Sequence, residues 1–297
     1  MKEVADAVIL AGGRGTRMLP GSMYVPKEIM PLVDTPIINH LIWESCNAGV
    51  ERIHIIISPN KKKILAKTIP EGYPELDLVR SDLPKISLKP IPENVEVFFY
   101  EQTNPGGVGD AISIVANNIE GPFLVLLGDN LLIEDHISPK KSGPDFASKS
   151  CKKLVEYFYQ HKIPCTGIIE VADEELDKYG IVELEDTLIK NIIEKPKIHD
   201  APSNYILCGR YLLPGNTGEL LKLFTGAEYG ELQSIAFFKH LIENGGFGGV
   251  KMNGYMLYDS GNPLNWLKSQ IDHALRRDDL NQDLRNWIKN RIDDENT

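Results

Sequence analysis

The sequence predicts an α/β fold in which helices flank a mixed, mostly parallel β-sheet and a helical tail follows. The first observation is the apolar run at residues 6–10, which ends in a glycine-rich turn as a buried parallel strand does. The second is the alternation of β-branched and helical segments, which is typical of βαβ units. The third is the charged segment from Pro263 onward, whose apolar residues recur at helical spacing. They are Leu280, Leu284, Trp287, Ile288 and Ile292.

The first half of the chain alternates between predicted strands and helices. The predicted strands are residues 6–10, 52–58, 95–100 and 122–127. The predicted helices are residues 37–48, with Gly49 as the stop signal, and residues 109–117. Residues 59–94 contain six prolines, so we expect an irregular surface excursion with short helical pieces there.

The second half contains more and shorter strands. A basic loop at residues 138–153 precedes a helix that ends near His161. Strands are predicted at residues 166–171, 180–184, 188–194, 205–212 and 249–252, and helices at residues 217–224 and 232–244. We find no internal repeat and no clear linker. The prediction is therefore a single domain, 1–297, with a core of about residues 1–262 and a helical tail at 263–297 that packs on the core or contacts another subunit.

Composition excludes several classes of protein. The 297 residues are 42% hydrophobic and 25% charged, which argues against a disordered or fibrous chain. The net charge of −10 makes nonspecific nucleic-acid binding unfavourable. No apolar run reaches the roughly 18 residues of a membrane helix, and the short run near the N-terminus does not resemble a signal peptide. No cysteine lies in a CxxC pair, so we expect buried reduced thiols and a cytoplasmic protein.

The strongest functional signal is the segment LAGGRGTRMLP at residues 10–20, followed by PKE at residues 26–28. Glycines let backbone amides approach phosphate oxygens or a base edge, and Arg17 and Lys27 supply the cations that a polyphosphate requires. A Walker loop would need Gly-Lys-Ser/Thr after its glycines. A dinucleotide fingerprint would need a third glycine near Met18. The third interpretation is a sugar-1-phosphate nucleotidylyltransferase signature.

This segment closely resembles that third signature, and further matching motifs follow in the family's order. They are Gln102 with PGGVG at 105–109, LGD at 127–129, YGI at 179–181 with Val182, IEKP at 193–196, Asn204 with GRY at 209–211, and YDSGN at 258–262. The matches run from about residue 5 to residue 275, nearly the whole chain. The segment at residues 18–28 is most similar to the bacterial-type UTP–glucose-1-phosphate uridylyltransferases, and the thymidylyltransferase branch is next.

The resemblance implies a Rossmann-like fold of the nucleotide-diphospho-sugar transferase type and a set of roles. The catalytic residues would be Arg17 and Lys27, which hold the triphosphate, and Lys195, which grips the sugar phosphate. The nucleotide-binding residues would be Ala11, Gly12, Gly13, Gly15, Gln102 and Gly107. The sugar-binding residues would be Gly180, Glu194 and Asn204. Asp129 and Asp259 would bind Mg²⁺, which prefers a few carboxylates plus substrate phosphates. No histidine is assigned a catalytic role.

The sequence departs from the uridylyltransferase pattern at several positions. Met23 lies in Ser-Met-Tyr, where Thr-Lys-Ala is usual, and Asp110 stands where a histidine is common. The stretch from Glu231 to Ile235 begins like the family's Glu-Ile-Gln-Leu-Thr-Asp, but with Ser234 and Ile235 the Thr-Asp is lost. Transfer from UTP to glucose 1-phosphate is the leading interpretation. The alternatives are dTTP or a different sugar or cyclitol 1-phosphate as substrate, and a weakly active regulatory paralogue that binds a sugar nucleotide. We expect small-molecule substrates as partners, no nucleic acid or membrane, and a homo-oligomer such as a dimer or tetramer.

Overall fold

The computed structural model describes residues 3–72, 82–104, 106–224 and 233–295, which form one nine-stranded sheet and two two-stranded sheets. The strands are β1 Asp6–Ala11, β2 Pro31–Leu32, β3 Thr35–Pro36, β4 Arg52–Ile57, β5 Glu96–Glu101, β6 Phe123–Leu127, β7 Asn130–Ile133, β8 Cys165–Glu170, β9 Gly180–Glu185, β10 Leu188–Glu194, β11 Tyr205–Leu213, β12 Gly248–Lys251 and β13 Met256–Asp259. The α-helices are α1 Ile37–Asn47, α2 Lys62–Glu71, α3 Lys85–Leu88, α4 Gly107–Ala116, α5 Ser150–His161, α6 Thr217–Leu220, α7 Gln233–Glu243, α8 Pro263–Arg276 and α9 Asn281–Glu295.

The first part of the large sheet is parallel, in the order β5-β4-β1-β6. Strand β1 is apolar throughout its middle because both of its faces are covered. Ala7 and Ile9 belong to the core on the α1 side of the sheet, whereas Val8 belongs to the core on the α4 side. A strand buried on both faces reads as a continuous apolar run, which is why the sequence predicted this part well.

The second part of the sheet is largely antiparallel and curls back on itself. Strand β11 pairs antiparallel with β6, β8 and β9, so the strands β11-β8-β12-β10-β9 form a closed ring. Across the described sheet, four pairings are parallel and five are antiparallel. The prediction of a mostly parallel sheet is therefore wrong beyond β6. Apolar patterning identifies a strand but does not identify the direction of its neighbour.

The excursion and the tail have the expected character. The proline-rich excursion contains α2 and α3, with residues 73–81 outside the described ranges. The tail consists of α8 and α9, which pack against each other. Trp287 and Ile292 of α9 are 58% and 55% exposed, so a subunit contact by this helix stays a prediction. In the part of the chain that the structure describes, no helix has the length and apolarity needed to cross a membrane.

Candidate active site

The glycine-rich loop follows the carboxyl end of β1, and a buried lysine donates hydrogen bonds to its backbone. Lys61, only 4% exposed, donates to the backbone carbonyls of Ala11 (2.9 Å) and Gly13 (2.6 Å). Its ammonium also contacts both carboxylate oxygens of Glu28, which is fully buried, at 2.8 Å. Burial raises the pKa of Glu28 and lowers the pKa of Lys61, although each charge opposes the shift of the other. The pair ties the glycine loop to the PKE segment, and sequence reasoning missed it.

The two glycines at the ends of this loop have different structural reasons. Gly15 has φ +65°, in the left-handed region that glycine adopts without strain. Its carbonyl accepts a hydrogen bond from the Ser22 hydroxyl at 2.8 Å. Gly12 lies beside Gln102: an ideal Cβ on Gly12 would meet the Gln102 amide oxygen at 2.6 Å. The Gln102 amide oxygen therefore packs directly against the Gly12 backbone, so two groups that the sequence predicted to read a base lie side by side.

A cation and a carboxylate meet at the entrance to this loop. Lys27 Nζ lies 2.5 Å from Asp129 Oδ2, and a Cβ on Gly13 would lie 4.0 Å from the same ammonium. Burial acts to raise the pKa of Asp129, but Lys27, with a smaller effect of Arg17, holds it below its ordinary value. Asp129 is therefore an anion in a polar cluster that also contains two cations. The structure thus brings together Arg17, Lys27 and Asp129, which the sequence singled out in separate motifs.

The second acidic residue reaches the same place through the small β7–β13 sheet. Asp259 pairs with Asn130, the residue directly after Asp129. Ser260 reinforces the junction because its backbone amide and its hydroxyl both donate to the Asp129 carbonyl. The Asp259 carboxylate accepts from the Gly261 amide (2.6 Å) and from the Asn265 side chain (2.7 Å). Both carboxylates are thus fixed on adjoining chain segments.

Arg17 lies beside this second acidic segment. An ideal Cβ on Gly261 would meet the Arg17 guanidinium at 3.0 Å and the Asp259 carboxylate at 2.8 Å. Glycine at position 261 therefore allows the backbone to approach both side chains. Arg17, Lys27, Asp129 and Asp259 together form a cluster of two cations and two anions, whose charges suit a polyphosphate with a bound metal ion.

The predicted sugar-binding residues gather at the β9–β10 pair. Gly180 pairs with Glu194, and a Cβ on Gly180 would lie 3.0 Å from the Glu194 carboxylate. Lys195 follows with φ +44°, its amide bonded to the Tyr179 carbonyl and its ammonium 3.5 Å from Glu194. A positive φ in a lysine is uncommon and marks a residue whose direction the fold constrains.

Asn204 is placed at the edge of this group. Its side-chain nitrogen donates to Asp173 Oδ1 at 2.5 Å and, at 3.4 Å, to the Val171 carbonyl. Its amide nitrogen is therefore engaged within the protein, and a sugar contact would use the amide oxygen. Val171 and Tyr179 also line an open cavity of about 620 Å³ that extends to Asp259. This cavity provides space for a hexose-sized group beside Asp259, which belongs to the cluster of two cations and two anions.

A buried ion pair supports the acidic segment from inside the protein, and sequence reasoning missed its role. Arg210 donates to both carboxylate oxygens of Glu44, at 2.7 and 2.9 Å, and to the Asn130 carbonyl at 2.9 Å. Burial disfavours the charged guanidinium, but the Glu44 carboxylate raises the pKa of Arg210 above its ordinary value. Arg210 belongs to the GRY motif at residues 209–211, but only the fold shows that it positions the backbone next to Asp129.

The departures from the family pattern have different surroundings. Met23 and Tyr24 are exposed, and position 23 supplies no charge. Asp110 accepts a hydrogen bond from the Gln102 side-chain nitrogen at 2.6 Å. Ser234 and Ile235 lie in α7, whereas residues 225–232, which include the preceding Glu231, lie outside the described ranges.

Comparisons with known proteins agree over nearly the whole chain. A family model described as nucleotidyl transferase matches residues 6–269. The chain is similar to UTP–glucose-1-phosphate uridylyltransferase of Streptococcus pyogenes, with 28% identity over 300 residues that cover 97% of this chain and 94% of the relative. It also resembles the solved UTP-bound UGPase from Acinetobacter baumannii, with 25% identity, a TM-score of 0.79 and coverage of 96% and 98%. A UDP-glucose pyrophosphorylase complexed with UDP-glucose gives 27% identity and a TM-score of 0.74, with coverage of 91% and 98%.

Proposed function

The chain belongs to the nucleotidyl transferase family, and from this premise we propose that it transfers the uridylyl group of UTP to glucose 1-phosphate. The products are UDP-glucose and pyrophosphate. The names of the relatives supply the two substrates. The observation that carries the proposal is the contact between Lys27 and Asp129 beside the glycine loop, because it places a cation and a carboxylate suited to bind a metal ion next to the loop backbone.

The reaction needs positioning and charge stabilisation and no covalent protein intermediate. An oxygen of glucose 1-phosphate attacks the α-phosphorus of UTP, a new P–O bond forms, and the bond to pyrophosphate breaks. Negative charge accumulates on the phosphate oxygens, which cations stabilise. Arg17 and Lys27 hold the triphosphate and the departing pyrophosphate. Lys195 holds the sugar phosphate in line with the α-phosphorus.

The chemistry of the donor set fits Mg²⁺. Asp129 and Asp259 offer hard carboxylate oxygens on adjoining segments, and Mg²⁺ typically takes one or two carboxylates, phosphate oxygens and water. Among the described residues, no group of three or more His, Cys, Asp or Glu forms a self-sufficient metal site. Mg²⁺, when bound with the nucleotide, would neutralise phosphate charge. The two carboxylates would hold and orient that complex against the glycine loop.

The sugar side of the cleft is supported by polarity and space. Glu194 can accept hydrogen bonds from sugar hydroxyls, and the Gly180 backbone lies beside it without a side chain in between. Tyr179, the residue directly before Gly180, lines the same cavity as Asp259, so the cavity provides space near both. Burial raises the pKa of Tyr179 to about 12, so it remains a neutral hydroxyl that donates or accepts at neutral pH. The single domain, the cytoplasmic location and the homo-oligomeric state remain predictions.

The test is pyrophosphate release in the presence of Mg²⁺ over a grid of substrates. UTP, dTTP, ATP, CTP and GTP are each combined with several sugar 1-phosphates. The proposal expects rapid release with UTP and glucose 1-phosphate. Release only with a different sugar 1-phosphate would identify that sugar, and not glucose, as the substrate. No pyrophosphate release with any substrate pair, together with tight binding of UDP-glucose, would instead support a regulatory protein.

A further inference from the structure

The side chain of Gln102 is held in one orientation by a carboxylate. Gln102 directly follows β5 and is 8% exposed, and its backbone amide donates to the Ile57 carbonyl at 2.8 Å. Its side-chain nitrogen donates to Asp110 Oδ2 at 2.6 Å and, more weakly at 3.4 Å, to the Gly107 carbonyl. Both hydrogen bonds of this side chain therefore start at the amide nitrogen.

The chemistry of the two acceptors decides which way the amide faces. An ionised carboxylate and a backbone carbonyl accept hydrogen bonds and donate none. A reversed amide would place its oxygen against Asp110 at 2.6 Å, with repulsion in place of a bond. The amide oxygen must therefore face the opposite side, and it does so: it lies where a Cβ on Gly12 would be only 2.6 Å away. The edge that Gln102 offers to the glycine loop is an acceptor.

The surroundings hold Asp110 in place for this task. It lies in the first turn of α4, where the helix dipole favours a negative charge. Its side chain packs back over Gly106, where an added Cβ would lie 2.7 Å from the Asp110 carboxyl carbon. The Ser113 hydroxyl donates to the Asp110 backbone carbonyl at 2.7 Å. Packing and hydrogen bonds therefore fix the position of the Asp110 carboxylate beside Gln102.

We propose that Asp110 is a positioning residue that sets base specificity by fixing the Gln102 amide, so that its oxygen accepts the N3–H of uracil. This inference rests on the proposed function, because it assumes that the nucleotide base lies against Gln102 and Gly12, with its N3 edge at the amide oxygen. Uracil and thymine carry a hydrogen on N3, whereas N3 of cytosine is an acceptor and would face the amide oxygen without a proton. The histidine common at this position in the family has a neutral form that donates at one nitrogen and accepts at the other, so it does not impose one amide orientation. Asp110 does.

The first variant is Asp110→Asn, which is nearly isosteric but can donate as well as accept. Only the weak 3.4 Å hydrogen bond to the Gly107 carbonyl then opposes reversal of Gln102, and the reversed amide can donate to N3 of cytosine. Binding of Mg²⁺–UTP and Mg²⁺–CTP is measured by titration calorimetry, so that no turnover is required. Wild type is expected to prefer UTP by about tenfold or more, and the variant is expected to lose most of that preference. Ser113→Ala is the matched control, since it removes a bond to residue 110 but leaves the carboxylate, and its UTP-to-CTP ratio is expected to stay at the wild-type value.

The second variant pair separates this pairing from a general structural role. Gln102→Glu places two carboxylates against each other and is expected to weaken UTP binding by about a hundredfold. Adding Asp110→Asn to that variant supplies a donor to one oxygen of the new glutamate and leaves the other oxygen to accept N3–H. Recovery of at least about tenfold in UTP affinity is expected. No recovery in the double variant, with both proteins folded by circular dichroism, would overturn the inference.

The outcomes distinguish the inference from the proposed function. An unchanged UTP-to-CTP ratio in Asp110→Asn would overturn the inference even if the enzyme makes UDP-glucose normally. A wild type that prefers CTP or binds neither nucleotide would also overturn it. Loss of discrimination in the variant supports the inference even if glucose 1-phosphate proves to be the wrong acceptor, in which case only the proposed function fails.

Discussion

Lys61, the buried lysine that contacts the glycine loop, is predicted to support both the stability of the protein and its affinity for UTP, and variants can distinguish the two effects. Lys61→Met leaves the buried Glu28 carboxylate without its ion-pair partner and removes the donor from the Ala11 and Gly13 carbonyls. Removing one member of a buried ion pair costs about 3–5 kcal/mol of unfolding free energy, against a total of about 5–15 kcal/mol for a typical domain. We expect a loss in that range, measured by urea unfolding followed by circular dichroism.

The neighbouring lysine is the matched control. Lys62 also forms an ion pair, with Glu101 at 2.6 Å, but its side chain is 55% exposed. Exposed pairs contribute about 0–1 kcal/mol, so Lys62→Met is expected to have little effect. Two adjacent lysines with the same substitution therefore differ in burial and in partner. Equal losses in the two variants would refute the assigned role of the buried pair.

A double variant keeps the prediction testable if Lys61→Met fails to fold. Replacing both charges, as Glu28→Leu with Lys61→Met, removes the unpaired buried anion, and such exchanges are often nearly neutral for stability. We expect the double variant to recover at least half of the lost stability. Its affinity for UTP is nevertheless expected to stay about tenfold or more below wild type, because the loop carbonyls still lack their donor. A double variant with wild-type affinity would show that the loop needs no such support.

Three further predictions follow from the acidic cluster, the sugar-phosphate side and a buried histidine. Asp129→Asn is expected to lower kcat by about a hundredfold or more at saturating Mg²⁺, and near-wild-type turnover would contradict its role as a metal ligand. Lys195→Ala is expected to raise the KM for glucose 1-phosphate more than the KM for UTP, whereas equal increases would contradict its placement. Burial lowers the pKa of His273 to about 3, so the unfolded chain takes up this proton first as the pH falls, and stability is lost from about pH 6.5 downward. His273→Gln is therefore expected to reduce the loss of unfolding free energy between pH 7 and pH 4 by about 3 kcal/mol, and an unchanged pH dependence would contradict the buried neutral state.

Strand positions could be predicted from the sequence because apolar patterning reports burial directly. Strand β10 has the predicted bounds, Leu188–Glu194, and β1 extends the prediction by one residue. The direction of pairing could not be predicted, because it depends on segments far apart in the chain. Strand β11 lies antiparallel between β6 and β8, and no local property of residues 205–213 specifies those neighbours.

The site divides in the same way. Lys27 and Asp129 could both be singled out by their motifs, but their contact joins residues 102 positions apart and is visible only in the fold. Lys61 stands in a run of three lysines that reads as an exposed charged turn, and nothing local distinguishes the buried one. Asp110 could be noticed as a departure, yet its meaning depends on which atom of Gln102 it contacts. Motifs thus single out candidate substrate-binding residues, whereas the residues that position them become visible only through packing.

The fate of the α-phosphorus of UTP tests the proposed reaction most directly. UTP labelled with ³²P at that position is incubated with the enzyme and Mg²⁺, with and without glucose 1-phosphate, and the products are separated. Direct transfer predicts labelled UDP-glucose and an equal amount of pyrophosphate only when glucose 1-phosphate is present. It also predicts that no label becomes attached to the protein. Labelled UMP as the main product, or a labelled protein without sugar phosphate, would contradict direct transfer between the two substrates.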